Sequence, residues 1–570
     1  MHPLIVRFSL ALAVASSLPF LTLAKPAAAV ETAVRHNSMA AHYTLDVTVD
    51  DQRHVVDVRE TVEAMNRTGV PLTSLVFNVT PRHFSGFAMG PVTVDGVGQQ
   101  PKFDDVVMEV PLRSPLPPDT SAKIVMSFKE TVPSPGNIRY GYSDGILALG
   151  NWFPVLAVYR QDGWDRHHYS NVGDPFFTET ADYQVTVHAD PHVVIAHTGA
   201  FAKYHDGQWE FHANDVRDFA LAMSRHYESH SVDVDGTKIT SYFLPQDKTG
   251  GLAALDYATQ SFAWYVDHLG PYGYPSFEVA ETMSHVSTDV GQEYPNLIFV
   301  ASTQERQRTP PGGYLTYLVA HETGHQWFYG LVGNDQVRQP WLDEGLAVHL
   351  SYLFLKDRYP SEYFKQWSTL QSDYKKAVAT WGQKTIDTTE ADYTSDEEYF
   401  SLLYRESAIF LDRLRETMGT DNYFTFLRDY VATYRGQTAT TREFLLLAER
   451  YAGRDLTSLY QEYFRPESYA PAMPTATATG AATATPIPSA THTPVPSPSP
   501  TVRLTPSPAA TSTVVRKSVT TPSPLSASRA TPSATPTSGS VGTMLGLVVV
   551  SGTAGLVLVG LLSFLLMRRS

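Results

Sequence analysis

From about residue 40 to 235, apolar and polar residues alternate with period two. The stretches HYTLDVTVD, HVVDVRETVEAMN, AKIVMSFKE, DYQVTVHAD and HVVIAHTGA each place apolar side chains on one face between turn signals. No long 3.6-residue period interrupts them, which predicts an antiparallel β-sandwich rather than βαβ units. From about 250 the period lengthens. GLAALDYATQSFAWYVDHLG is the first clear helix, FEVAET and NLIFVAS read as short strands, and nearly everything from Glu344 to Tyr463 reads as helix. The expected fold class is α+β, with a β domain at 30–239 and a mixed, then helical domain at 240–468.

Both ends depart from this pattern. Residues 1–29 read as a signal peptide: Arg7 precedes the apolar run FSLALAVASSLPFLTLA, and Ala27, Ala28 and Ala29 offer small residues for cleavage. Residues 469–540 form a stalk of Pro, Ser, Thr and Ala with too little apolar surface to offset its ordering entropy. Residues 541–567 then run for 27 positions without a charge. About 20 apolar residues cross a bilayer, so this is a transmembrane helix, and Arg568 and Arg569 in the tail 568–570 should stay cytoplasmic. The expected localisation is an exported, single-pass membrane protein with its globular part outside.

Charge and cysteine content narrow the function classes. Leader, stalk and tail hold eight basic residues and no acid; without them 35 basic residues face 58 acidic ones, a net of −23 for residues 30–470. Such a surface repels nucleic acid and anionic lipid, and excludes a nucleic-acid partner. There is no cysteine, so disulfides, a thiol nucleophile and thiolate metal ligands are all excluded. A block of some 440 residues can bury enough core without such staples.

Candidate chemistry concentrates in VAHETGHQWFYG, residues 319–330. His321 and His325 at i and i+4 share one helix face, where both can reach one metal ion at about 2.0–2.1 Å. Glu322 lies about 100° around the helix, suited to reach a metal-bound water rather than the metal. With 20 His in the chain, a polar-faced helix carrying two of them by composition is the competing reading. A catalytic zinc needs a third protein ligand. PWLDEGLAVHL carries Glu344, with eighteen residues between it and His325, after a loop marked by Gly330, Gly333, Asn334 and Asp335.

The combination H-E-x-x-H, eighteen residues, E, with Q-W-F after the second His and W-L-x-E-G around the Glu, resembles the gluzincin metallopeptidases of the aminopeptidase N family, which includes leukotriene hydrolase. GNWFPVLAVY, GDPFFTETADYQV and DVRDFALAMS resemble segments of that family's N-terminal β domain, and the likeness spans roughly residues 40–465. It implies a thermolysin-like catalytic domain and one zinc ion held by His321, His325 and Glu344, with Glu322 as general base. It further implies that Tyr404 in LLYRESAIF stands in the family's Y-x-K-G frame as an oxyanion donor, with Glu406 and Ser407 in place of Lys and Gly and with Tyr399 as the alternative. DVGQEYPNLIFV is similar to the family's G-x-M-E-N edge, placing Glu293 as the anchor for a substrate ammonium, with Gln292 and Tyr294 in place of Met and Asn. The implied activity is release of N-terminal residues from peptides with a free N-terminus. An endopeptidase, a non-peptide hydrolase and a non-catalytic surface receptor are the alternatives. His167 and His168 are adjacent and so point apart, which makes them a loop pair rather than a second metal site. His349 is expected to pack beside the site.

Overall fold

A computed structural model of the protein describes residues 37–282, 291–301 and 310–470. The leader 1–29, the anchor 541–567, the tail 568–570 and all but the first two residues of the stalk lie outside them. Among the described residues, no helix is long and apolar enough to cross a membrane.

The period-two segments pair as the alternation requires. Met39–Asp50 and Val55–Asn66 form an antiparallel hairpin, and their inward residues bury while their outward ones stay exposed. They lie at the centre of an eight-stranded sheet that ends on Ala200–His205 at one edge and Val97–Gln99 at the other. One departure from the antiparallel expectation occurs: Met39–Asp50 pairs parallel with Ala181–His188, His42 opposite Asp182. A parallel neighbour needs a long crossover, and here 130 residues of sheet and loop separate the two strands, a link that alternation within either strand cannot report.

Two four-stranded sheets cover the inner face of the large one, and Leu45, Val58, Phe77, Met108, Leu149 and Leu221 from all three share one core. The sheet containing Ile146–Leu149, Val194–His197 and Leu221–Ser224 is buried on both faces. Its second face presents Ile146, Ala148, Ala196 and Ala222 to Ala280, Tyr294, Leu297 and Phe299 of the next sheet. Small alanines let the backbones approach, so the β half seats directly against the strands that frame the site.

That next sheet is five-stranded and mixed, in the order Glu228–Val234, Thr237–Phe243, Ser276–Thr282, Leu297–Ala301, Gly291–Tyr294. It starts at Glu228, so residue 239 falls inside one of its strands; the hairpin before it alternates like those upstream, and the pattern shows no break. Helix α1 (Lys248–Leu269) packs on this sheet, followed by α2 (Tyr314–Gly324) and α3 (Glu344–Arg358). A core of Tyr265, Trp327, Trp341, Leu346, Phe410 and Phe444 joins them to the remaining helices. The result is a sheet-rich N-terminal half followed by a mixed and then helical one.

Candidate metal centre

The apolar run before His321 drives α2 into the core, and the helix ends at Gly324. His325 therefore falls one residue past the last helical turn assigned, but its backbone keeps helical angles (φ −63°, ψ −16°) and its N–H bonds the His321 carbonyl at 3.3 Å. The one-turn relation between the two imidazoles survives. Pro340 opens a short 3₁₀ turn, Asp343 accepts a hydrogen bond from the Glu344 N–H, and α3 starts with Glu344 facing α2.

Three ligand atoms converge. His321 Nε2 lies 3.2 Å from His325 Nε2 and 3.3 Å from Glu344 Oε2, and His325 Nε2 lies 3.5 Å from the same oxygen. Glu344 Oε2 makes no aligned hydrogen bond despite full burial. The edges of a tetrahedron around an ion with ligands at about 2.0–2.1 Å are about 3.3–3.4 Å long, so these three atoms occupy one face of such a tetrahedron. The donor set, two imidazoles and one carboxylate, suits zinc. His325 Nδ1 sits 3.2 Å from the Phe328 carbonyl, which assigns the proton to Nδ1 and leaves the Nε2 lone pair free.

Electrostatics follow from burying charges together. Burial opposes ionisation of Glu344, but His325 and His321 outweigh it and hold that carboxyl well below its usual range. Burial likewise opposes the His325 imidazolium, and Glu293 and Glu344 outweigh it upward; at His321 burial dominates and the pKa falls. Burial pushes the Glu322 carboxyl up to about 8; a dication on the neighbouring ligands would draw it back down.

Glu322 extends from α2 over the edge strand Gly291–Tyr294. A Cβ at Gly291 would lie 2.2 Å from Glu322 Oε1, so only glycine leaves room for this carboxylate. Its other oxygen, Oε2, is buried without a hydrogen-bond partner among the described residues, as befits a group reserved for a water or substrate.

Glu293 is buried on the same strand, 3% exposed. Gln292 Nε2 donates to its Oε2 at 2.7 Å and Gln336 Nε2 to its Oε1 at 3.3 Å. Amides orient this carboxylate without neutralising it. Gln292 is itself set by Arg139, whose Nε donates to its Oε1 at 2.6 Å. Tyr294 turns the other way, its hydroxyl donating to Asn151 Oδ1 of the β half at 3.3 Å. Both departures from the family's edge motif are thereby accommodated.

Tyr404 ends a five-residue π-turn, Phe400–Tyr404, that leads into the helix Arg405–Met418. Its ring lies against His321, centroids 6.0 Å apart and 28° from parallel. Burial, with Glu344 adding to it, keeps its phenol protonated and able to donate. Tyr399 is buried where Tyr404 is partly buried, and its hydroxyl packs over Gly173, where a Cβ would meet it at 3.1 Å. Ser407 packs onto Gly345 beside Glu344, and Glu406 accepts from Gln383. His167 turns inward to Asp165 and His168 outward to Asp104. His349 contacts the Tyr423 hydroxyl at 3.0 Å.

Sequence reasoning missed Asp174 and Arg139. Asp174, on a loop of the β half, brings its carboxylate together with those of Glu293 and Glu344, and Arg139 pairs with it. The only local signal was a G-D-P turn. Asp343, the residue before Glu344, is a further buried carboxylate held by Asn334 at 2.9 Å.

Residues 261–463 match the peptidase family M1 domain. Among curated relatives, aminopeptidase M1-B of Oryza sativa subsp. japonica is 23% identical over 252 residues, covering 41% of this chain and 28% of that protein. A probable aminopeptidase 2 of Sulfurisphaera tokodaii is 26% identical over 174 residues, 30% of this chain and 21% of its own. The chain thus aligns with about a quarter of the length of these relatives. Among solved structures, an M1 zinc metallopeptidase from Deinococcus radiodurans superposes with a TM-score of 0.56 at 18% identity, covering 75% of this chain and 93% of that one. A mutant of the Deinococcus enzyme bound to the substrate Tyr-Ser-Ala gives 0.52 at 18% identity, over 74% and 93%. The fold is that of these two-part enzymes. Residues 261–463 form a peptidase family M1 domain of the gluzincin, aminopeptidase N type.

Proposed function

We propose that this chain is a zinc aminopeptidase, exported and membrane-anchored, that releases residues from the free N-terminus of peptides. The observation that carries the reading is the tetrahedral face formed by His321, His325 and Glu344, with Glu322 next to His321 on α2 and Glu293 close to His325 and Glu344. Held there, zinc would polarise the scissile carbonyl and acidify a bound water.

The chain's own residues supply the rest. Glu322, its Oε2 unpartnered, accepts the water's proton and delivers it to the departing amine. Tyr404, kept protonated by burial, donates a hydrogen bond to the developing oxyanion. Glu293, oriented by two amides, binds the substrate ammonium. That contact fixes the scissile bond one residue from the N-terminus. The Deinococcus relative bound to a tripeptide supports peptide as the substrate class.

The location outside the membrane rests on the Arg7-led apolar leader, the Pro/Ser/Thr stalk and the uncharged run 541–567 followed by Arg568 and Arg569. The test is hydrolysis of aminoacyl arylamides by the full chain. Turnover that stops with a chelator and returns with zinc is expected; turnover indifferent to both would refute the metal assignment.

A further inference from the structure

Arg217 belongs to the β half and is buried, 1% exposed. Its guanidinium donates to three backbone carbonyls: Nε to Tyr329 at 2.8 Å, Nη1 to Thr178 at 3.0 Å and Nη2 to Gln437 at 2.6 Å. Gly333 leaves the space it fills, since a Cβ there would fall 2.1 Å from the guanidinium carbon. Among the described residues this guanidinium donates to carbonyls alone, with the Glu179 carboxyl near enough to feel its charge. It fixes backbone.

The backbone it fixes is the loop that follows α2. After His325 the chain doubles back, with the Gly330 N–H bonding the His325 carbonyl at 2.8 Å, Val332 bonding Trp327 at 2.9 Å and Tyr329 bonding Val332 at 2.8 Å. Tyr329 sits at φ +112°, a region costly for a bulky residue, which persists only where its surroundings impose it. Its two flanking carbonyls have different duties. The one before it, on Phe328, meets His325 Nδ1 at 3.2 Å; the one after it, its own, accepts from Arg217. The φ and ψ of Tyr329 together set the angle between those two peptide planes. Holding one holds the other.

We propose that Arg217 is a positioning residue for the metal centre, acting through Tyr329 and the Phe328 carbonyl on the orientation of His325. This rests on the reading that His321, His325 and Glu344 bind zinc. It makes the β half part of the metal site, although it supplies no ligand. Without the guanidinium the Tyr329 carbonyl is free to turn, the strained φ relaxes, and the Phe328 carbonyl swings off His325. Loss of an outer partner of a metal-bound His typically weakens metal binding about 10- to 100-fold, and Arg217 acts one step further out, so about tenfold is expected.

The test compares the full chain in detergent with Arg217→Met and Arg217→Lys, well below their unfolding temperatures. Zinc affinity is measured by competition with a chromophoric chelator, and ligand geometry by the visible spectrum of the cobalt-substituted protein. Arg217→Met should bind zinc about tenfold more weakly and shift the cobalt bands. Arg217→Lys, which keeps N–H donors, should show a smaller loss in the same direction, and carries the comparison if the Met variant does not fold. If Arg217 merely joins the two halves, thermal midpoints fall equally with and without metal while affinity and spectrum stay wild-type; that result overturns the proposal. A wild-type chain that binds no zinc would overturn the metal-site reading, and this inference with it.

Discussion

Replacing Glu293 with Gln changes one charge in a pocket that is otherwise held in place. The carboxylate is 3% exposed, and its oxygens receive amide hydrogens from Gln292 and Gln336. A substrate ammonium completing that shell forms a charge-assisted hydrogen bond contributing about 1.5–3 kcal/mol. Its loss corresponds to roughly ten- to a hundredfold in kcat/KM. The new amide also has one NH₂ group, which must face Gln292 Nε2 or Gln336 Nε2, both donors, so the variant cannot recover the lost contact by a neutral bond. The assay is kcat/KM for a tripeptide and its N-acetyl counterpart, each with wild type and Glu293→Gln. The free peptide should lose ten- to a hundredfold, about as derived above, while the acetylated one changes little or improves. A fall of equal size for both would refute the reasoning, because it would place Glu293 in the general framework rather than at the amine.

Glu322→Gln should keep zinc and lose about 10²–10⁴ in kcat, the range for a missing general base. Glu344→Ala should instead lose the metal on dialysis, with near-stoichiometric retention counting against it as a ligand. Tyr404→Phe should lower kcat by about 10²–10³ with KM and zinc content little changed; the same loss in Tyr399→Phe and not in Tyr404→Phe would reassign the oxyanion donor. Burial raises the Glu406 carboxyl from 4.5 to about 7, so between those values the native state binds the extra proton and stability falls as pH rises. Glu406→Gln should flatten that slope in thermal melts, gaining on the order of 3 kcal/mol over wild type at pH 8 and nothing at pH 4; parallel pH profiles would contradict it.

What could be read in the chain and what could not divides along sequence distance. His321, Glu322 and His325 lie within five residues, so spacing alone brings them together; Glu344, at the start of the next α-helix, joined them through the family's H-E-x-x-H, eighteen residues, E frame. Period two found four strands of the large sheet, Met39–Asp50, Val55–Asn66, Ser121–Thr131 and Ala181–His188, because one face of each is buried. Tyr404 and Glu293 needed the family frame, since neither a π-turn nor a four-residue edge strand has a periodic signature. Asp174, Arg139 and Arg217 were silent for a different reason. They sit in the β half, more than 100 residues from His325, and only the packing of the alanine-faced sheet against the mixed sheet brings that half to the site. The same holds for Gly291, whose missing side chain is explained only by the carboxylate lying over it.

The central claim is that a metal held by His321, His325 and Glu344 drives cleavage next to a free N-terminus. Time-resolved mass spectrometry of a ten-residue peptide and its N-acetyl form, each incubated with the zinc-loaded full chain, tests it most directly. Single residues should leave the free peptide in order from its N-terminus, and the acetylated peptide should be consumed roughly ten- to a hundredfold more slowly. Internal fragments appearing first, or equal consumption of both peptides, would contradict the account.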